Sequence, residues 1–269
     1  MPETMVPRPR SFYTEPDRIE VGGLETAYRR QGEGEPVLYL HAAGFTRMWL
    51  PVHEALSASV DLIAPEHPGF GETDMPEWLD GFDDLAIHYT ELLDALGLDR
   101  VHVVGHSLGG WIAAEFAVFY PERLRSLTLL TPVGVRVPGH PWPNLAAMSP
   151  QVRYERMFND TANMDQVLPD LDNLDEVVHL YGEATTLARL AWNPMYDLKL
   201  EHRLRRVTVP SLVIAAEDDR LVPPEIGERY AELLGARVET IPGTGHALTI
   251  EQPERVAEAV AGFVSEVSR

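Results

Sequence analysis

Short apolar runs alternate with stretches of helical periodicity along most of this chain. DRIEVGGLETAYRR reads as two strands around the turn Gly22-Gly23, a hairpin signal. EPVLYLHAAG reads as a buried strand ending in a Gly-containing loop, and VDLIAPEHPGFGETD as a strand followed by a Pro/Gly-rich loop. From Phe82 the apolar positions Phe82, Leu85, Ala86, Tyr89, Leu92, Leu93 and Leu96 fall at helical spacing, and Gly97 supplies the stop. Strand VHVVG, helix LGGWIAAEFAVFY and strand LRSLTLLT follow. Strands alternating with helices predict right-handed crossovers and a parallel sheet, hence an α/β fold.

After Pro132 the rhythm changes. Residues 133–205 carry Pro, Met, Trp and acidic residues in helix-like pieces without a convincing strand, the pattern of a helical insertion. The alternation resumes with SLVIAAEDDR, a helix from Pro224, the strand ARVETIPG and a last helix with Val256, Val260, Phe263, Val264 and Val267 on one face. The expected organisation is one core, residues 1–132 and 206–269, interrupted by a cap at 133–205. No internal repeat interrupts this pattern.

Composition narrows the chemistry. The 269 residues are 45% apolar and 24% charged, ordinary for a soluble globular protein. No run approaches the ~18 apolar residues of a membrane span, and MPETMVPRPRSFY lacks the apolar region of a secretory signal. With no Cys there are no disulfides, thiolate nucleophiles or Cys-bound metals, and a cytoplasmic location is expected. The 42 acidic and 22 basic residues give a net charge of −20, which repels nucleic acid and anionic lipid and leaves a small molecule as the expected partner. Nothing in the sequence fixes the oligomeric state.

One short stretch needs explaining. In VVGHSLGGW, Ser107 stands between Gly105 and the pair Gly109-Gly110, straight after a strand and at the start of a helix. This is a Gly-x-Ser-x-Gly elbow, whose turn is too tight for bulky neighbours and which exposes the serine oxygen at a helix N-terminus. A serine hydroxyl needs a base, and His246 lies between the final strand and the final helix. The base needs a carboxylate: Asp219 follows a strand and keeps the order Ser…Asp…His, with Asp218 as the alternative. The competing place for the acid, after the strand ending at Thr131, shows Thr131-Pro132. The oxyanion hole is expected from the backbone N–H groups of Leu108 and Ala43.

At these residues the chain resembles the α/β-hydrolase family, from about Ile19 to the C-terminus. The matching motifs are His41-Ala42-Ala43-Gly44, Pro68-Gly69-Phe70-Gly71, Gly105-His106-Ser107-Leu108-Gly109-Gly110, Asp219-Arg220-Leu221-Val222-Pro223 and Gly245-His246. The resemblance implies a mostly parallel eight-stranded sheet with helices on both faces and a helical cap inserted after the sixth strand. Ala42 and Ala216 depart from the family's usual glycines, and Ala42 is expected to narrow the acyl pocket or shift the oxyanion hole.

The expected activity is hydrolysis of small, fairly apolar esters or lactones through an acyl-enzyme on Ser107. Ser107 argues against the dehalogenase and epoxide hydrolase members, which use a carboxylate nucleophile. Ring-cleavage C–C hydrolases are the alternative: Arg189 is a candidate for their substrate-carboxylate arginine, whereas Ala247 replaces the aromatic residue they usually carry after the histidine. A cofactor-free perhydrolase and a non-catalytic small-molecule receptor or carrier on the same fold are further readings.

Specificity is expected in the cap, where Trp142, Met148, Met157, Phe158, Tyr181, Trp192, Met195 and Tyr196 offer an adaptable apolar wall. Phe45, beside the oxyanion loop, is a candidate too. The acidic run DQVLPDLDNLDEV reads as a solvated helix face rather than a metal site, and His41 as a structural hydrogen-bonding residue beneath the oxyanion loop. No HExxH, Walker or dinucleotide motif occurs, so neither metal nor cofactor is expected.

Overall fold

Every residue of the strand Val101–His106 (β5) is buried, which requires cover on both faces of the sheet it belongs to. The computed structural model describes residues 11–140, 144–192 and 194–269. In it, β5 lies inside an eight-stranded sheet. The hairpin Asp17–Val21 (β1) and Leu24–Gln31 (β2) forms one edge, with Gly22 and Gly23 both at positive φ in its turn. Pro36–Leu40 (β3), Asp61–Pro65 (β4) and Leu124–Leu130 (β6) complete the centre, and Ser211–Ala216 (β7) and Arg237–Ile241 (β8) the other edge. The order is β1-β2-β4-β3-β5-β6-β7-β8; β2 pairs antiparallel with both neighbours and the remaining pairs are parallel.

Two helix pairs pack on this sheet. Pro51–Ser57 (α1) lies against Pro253–Val267 (α9), and Phe82–Ala95 (α2) against Leu108–Phe119 (α3). The apolar positions counted from Phe82 are buried through Leu93, and Gly97 follows at positive φ as expected of a helix stop. After the short helix Leu248–Glu251 (α8), Val256, Val260, Phe263 and Val264 of α9 are buried on one face. Proline at the first position starts α1 and α9, and likewise Pro150–Met157 (α4) and Pro224–Leu234 (α7), where its missing N–H costs nothing.

Between β6 and β7 the chain leaves the sheet. It forms α4, Leu174–Leu190 (α5) and Leu198–Leu204 (α6), with no sheet strand among the described residues; one isolated bridge, Gly134 to Tyr196, joins the two ends of the excursion. Within this segment α6 packs against the sheet helices α3 and α7. The acidic run is not one solvated helix face. It crosses a 3-10 turn, a loop and the first turn of α5, and Glu176 is buried against Arg47 at 3.1 Å. Among the described residues no helix is long and apolar enough to cross a membrane.

Candidate active site

The junction of β5 and α3 holds Ser107 in a conformation side chains rarely adopt, φ 54° and ψ −110°. Its N–H donates to the Leu130 carbonyl of β6 (2.9 Å), and its own carbonyl accepts from Gly110, Trp111 and Val133, so both sides of the turn are tied down. The glycines are required by close approach. A methyl group on Gly105 would stand 2.3 Å from the Gly109 carbonyl oxygen, and one on Gly109 would stand 2.0 Å from the Leu40 carbonyl oxygen. A methyl group on Gly110 would stand 2.8 Å from Pro132 Cβ, so the elbow fits against β3 and the chain after β6 only because three side chains are missing.

His246 and Asp219 arrive from loops that follow β8 and β7. His246 Nε2 lies 2.8 Å from Ser107 Oγ, and His246 Nδ1 lies 2.8 Å from Asp219 Oδ2. The other carboxylate oxygen of Asp219 accepts from the N–H groups of Leu221 (2.8 Å) and Val222 (2.7 Å), which fixes the plane of the carboxylate. A carboxylate accepts only, so Nδ1 carries the imidazole proton and Nε2 faces the serine as acceptor. Asp218 points elsewhere, accepting from Asn159 Nδ2 at 3.2 Å.

The loop HAAGF after β3 is held from beneath by a histidine ladder. His41 Nδ1 donates to the Ala42 carbonyl (3.0 Å), and His41 Nε2 accepts from the His67 N–H (3.1 Å). His67 donates from Nε2 to the His41 carbonyl (2.9 Å), leaving Nδ1 to accept from the Tyr89 hydroxyl. Burial lowers His41 to about 4 and drives His67 well below the usual histidine range, so both rings are neutral near pH 7. Above them Ala43 and Leu108 face the serine, and among the described residues their backbone N–H groups donate to no protein acceptor. Ala42 itself is buried and does not line the cavity, so its methyl group does not narrow it.

That cavity opens over Ser107 and His246. Its far walls come from two helices, each presenting a face at helical spacing: Pro150, Arg153, Tyr154 and Met157 from α4, and Leu180, Glu183, Ala184 and Leu187 from α5. Met195, Leu221 and Val222 complete the apolar lining.

The expectations for individual substrate contacts need correction. Met195 lines the cavity. Tyr181 is 75% exposed, one residue and therefore about 100° around α5 from Leu180. Trp192 is 66% exposed and lies in a separate surface groove. Phe45 is buried against the His106 ring, with centroids 5.8 Å apart, and Met148 is half-buried and does not line the cavity, although Leu145 does. Trp142 lies outside the described residues. Arg189 is exposed, lines another surface groove and reaches the Glu77 carbonyl, not the cavity. Sequence reasoning passed over Arg153, Tyr154 and Glu183, although the spacing of four positions on each helix was available to find them.

Comparison with known proteins gives the family and the fold. Residues 37–259 match the model of the alpha/beta hydrolase family. The 2-hydroxy-6-oxo-2,4-heptadienoate hydrolase of Pseudomonas putida is 29% identical over 92% of this chain and 95% of its own. A 2-hydroxy-6-oxononadienedioate/2-hydroxy-6-oxononatrienedioate hydrolase of Paraburkholderia phymatum is 30% identical over 90% and 92%. Among solved structures, the meta-cleavage product hydrolase of Pseudomonas fluorescens IP01 superposes with a TM-score of 0.77 at 23% identity, over 94% of this chain and 98% of the other.

Proposed function

Because the chain belongs to the alpha/beta hydrolase family, we propose that it is a serine hydrolase cleaving carboxylic ester or lactone bonds of small, fairly apolar substrates. The observation that carries this is the unbroken line Asp219–His246–Ser107, with both hydrogen bonds at 2.8 Å, opening into an apolar cavity. Ser107 Oγ attacks the acyl carbon while its proton passes to His246 Nε2. The oxyanion is held by the N–H groups of Ala43 and Leu108. Collapse expels the alcohol, which takes the proton from Nε2, and a water deprotonated by His246 then releases the acid and restores Ser107. Helices α4 and α5 act as the cap of this site. The cavity measures about 60 Å³, where a single water needs roughly 10–15 Å³, which suits a short acyl chain or a small ring.

Ring-cleavage C–C hydrolysis is the second reading. The Pseudomonas putida and Paraburkholderia phymatum relatives, matched over nearly their whole length, carry names that make them hydrolases of a 2-hydroxy-6-oxo dienoate and of a 2-hydroxy-6-oxo dienedioate or trienedioate. The test compares wild type and Ser107→Ala on p-nitrophenyl esters of graded chain length and on simple lactones, with intact mass after a fluorophosphonate. Ester turnover and a single adduct in wild type alone support the proposal. An adduct without ester or lactone turnover, followed by cleavage of ring-opened dienones, moves the assignment to the second reading. Neither turnover nor adduct would overturn both.

A further inference from the structure

Arg153 is an unusual residue for the wall of an otherwise largely apolar cavity. It projects from the inner face of α4, one residue before Tyr154, whose hydroxyl stands at the oxyanion loop beside Gly44. Its Nη2 donates to the Leu145 carbonyl at 3.3 Å, but its Nε–H is buried and has no hydrogen-bond partner among the described residues. Among the described residues no carboxylate lies within ion-pair distance of its guanidinium. Other arginines with little exposure are paired: Arg29 with Glu66 at 2.7 Å, Arg47 with Glu176 at 3.1 Å and Arg203 with Glu115 at 3.0 Å.

A half-buried cation with an unfilled donor is costly to maintain unless something supplies the acceptor. The fork of a guanidinium matches the two oxygens of a carboxylate, and this pairing is strong where water is displaced. Glu183 on the facing wall accepts from Thr46, and among the described lining residues Arg153 is the one Arg or Lys. The chain's charge of −20 repels anions at long range. An anionic substrate is therefore not steered in and must be held by local contact.

We propose that Arg153 binds a carboxylate on the substrate, so that the preferred substrates are acids carrying a second, cleavable acyl bond, such as half-esters of short dicarboxylic acids. The inference rests on the serine-hydrolase reading and revises its substrate class from fairly apolar esters to esters that carry a carboxylate.

The experiment pairs p-nitrophenyl hemisuccinate with p-nitrophenyl butyrate, similar in length and differing in charge, and follows kcat/KM for wild type, Arg153→Gln and Arg153→Lys. The ratio of charged to neutral ester is expected to fall at least tenfold in Arg153→Gln, mainly through KM, and to recover in part in Arg153→Lys. An unchanged ratio overturns the proposal. Calorimetry supplies an arm that needs no turnover: monomethyl glutarate is titrated into Ser107→Ala, with and without Arg153→Gln. A Kd at least tenfold weaker in the double variant supports the carboxylate contact, and equal Kd values overturn it. Loss of the serine-hydrolase reading shows instead as absent turnover of both esters and no fluorophosphonate adduct, and the calorimetric comparison still decides the carboxylate contact in that case.

Discussion

His106 donates from Nε2 to the main-chain carbonyl of His246 across 2.9 Å, so the residue before the nucleophile holds the backbone of the base. Two parts of the chain 140 residues apart are thereby locked in register. A carbonyl only accepts, which puts the His106 proton on Nε2, and burial lowers this ring to about 3, so it stays neutral. Replacing His106 by Ala leaves a buried carbonyl without a donor, a loss of about 1–3 kcal/mol. The expected result is a roughly tenfold lower kcat with KM little changed, and partial recovery in His106→Gln, which keeps a donor. Equal losses in kcat and KM, or no recovery by Gln, would show only a packing role.

The two adjacent acids should separate cleanly. Asp219→Asn preserves the shape of the loop but offers His246 an amide, and the template of the serine triad puts the loss in kcat at about 10⁴-fold. Asp218, bonded to Asn159 at the protein's surface, should tolerate the same change within about threefold. Steady-state kinetics of the two variants on one ester decide the matter; a larger loss in Asp218→Asn would reassign the acid.

Gly109 and Gly262 should respond in opposite directions to the same added methyl group. At Gly109 the new carbon would meet Leu40 and His41 backbone oxygens at 2.0 and 2.7 Å, contacts that no side chain can relieve by rotating. Overpacking of this kind costs about 1–3 kcal/mol or more, and the elbow should lose activity with it. At Gly262, inside α9, nothing lies within 4 Å, so alanine should stabilise by about 0.5–1 kcal/mol through helix propensity. Urea denaturation of both variants checks the pair.

How much of this was legible in the sequence depends on what fixes each feature. The elbow was readable because sterics leave little choice: only glycine fits at Gly105 and Gly109, so the residue type reports the backbone directly. The alternating strands and the helix from Phe82 were readable because burial on a sheet imposes a period. The wall of the cavity was not. Tyr181 and Trp192 attracted attention by size, yet rotation about a helix axis decides what faces inward, and α5 turns Leu180, Glu183 and Leu187 to the cavity. The acidic run misled for a related reason. Its charge suggested solvent, but Glu176 finds Arg47, a partner 129 positions away that no local pattern announces.

Acid should unfold this protein earlier than its carboxylates alone would. Burial lowers His41 to about 4 and His53 and His106 to about 3, from an ordinary value of 6.5 that each regains when the chain unfolds. Between those values the unfolded chain binds more protons than the folded one, so stability rises with pH and falls on acidification. The loss begins as pH drops through 6.5 and stops growing only near the folded values. Each of the three contributes roughly 1 kcal/mol of destabilisation at pH 5.5, before most carboxylates protonate. The urea midpoint should therefore drop markedly from pH 7 to pH 5.5. His53 gives the discriminating variant: its Nδ1 accepts from the Leu50 N–H at the start of α1, a task that glutamine at the same helix position performs without titrating. His53→Gln should retain more of its stability at pH 5.5 than wild type does, by about one histidine's share. A midpoint flat over this range in wild type would mean that these rings are protonated in the folded state despite their burial.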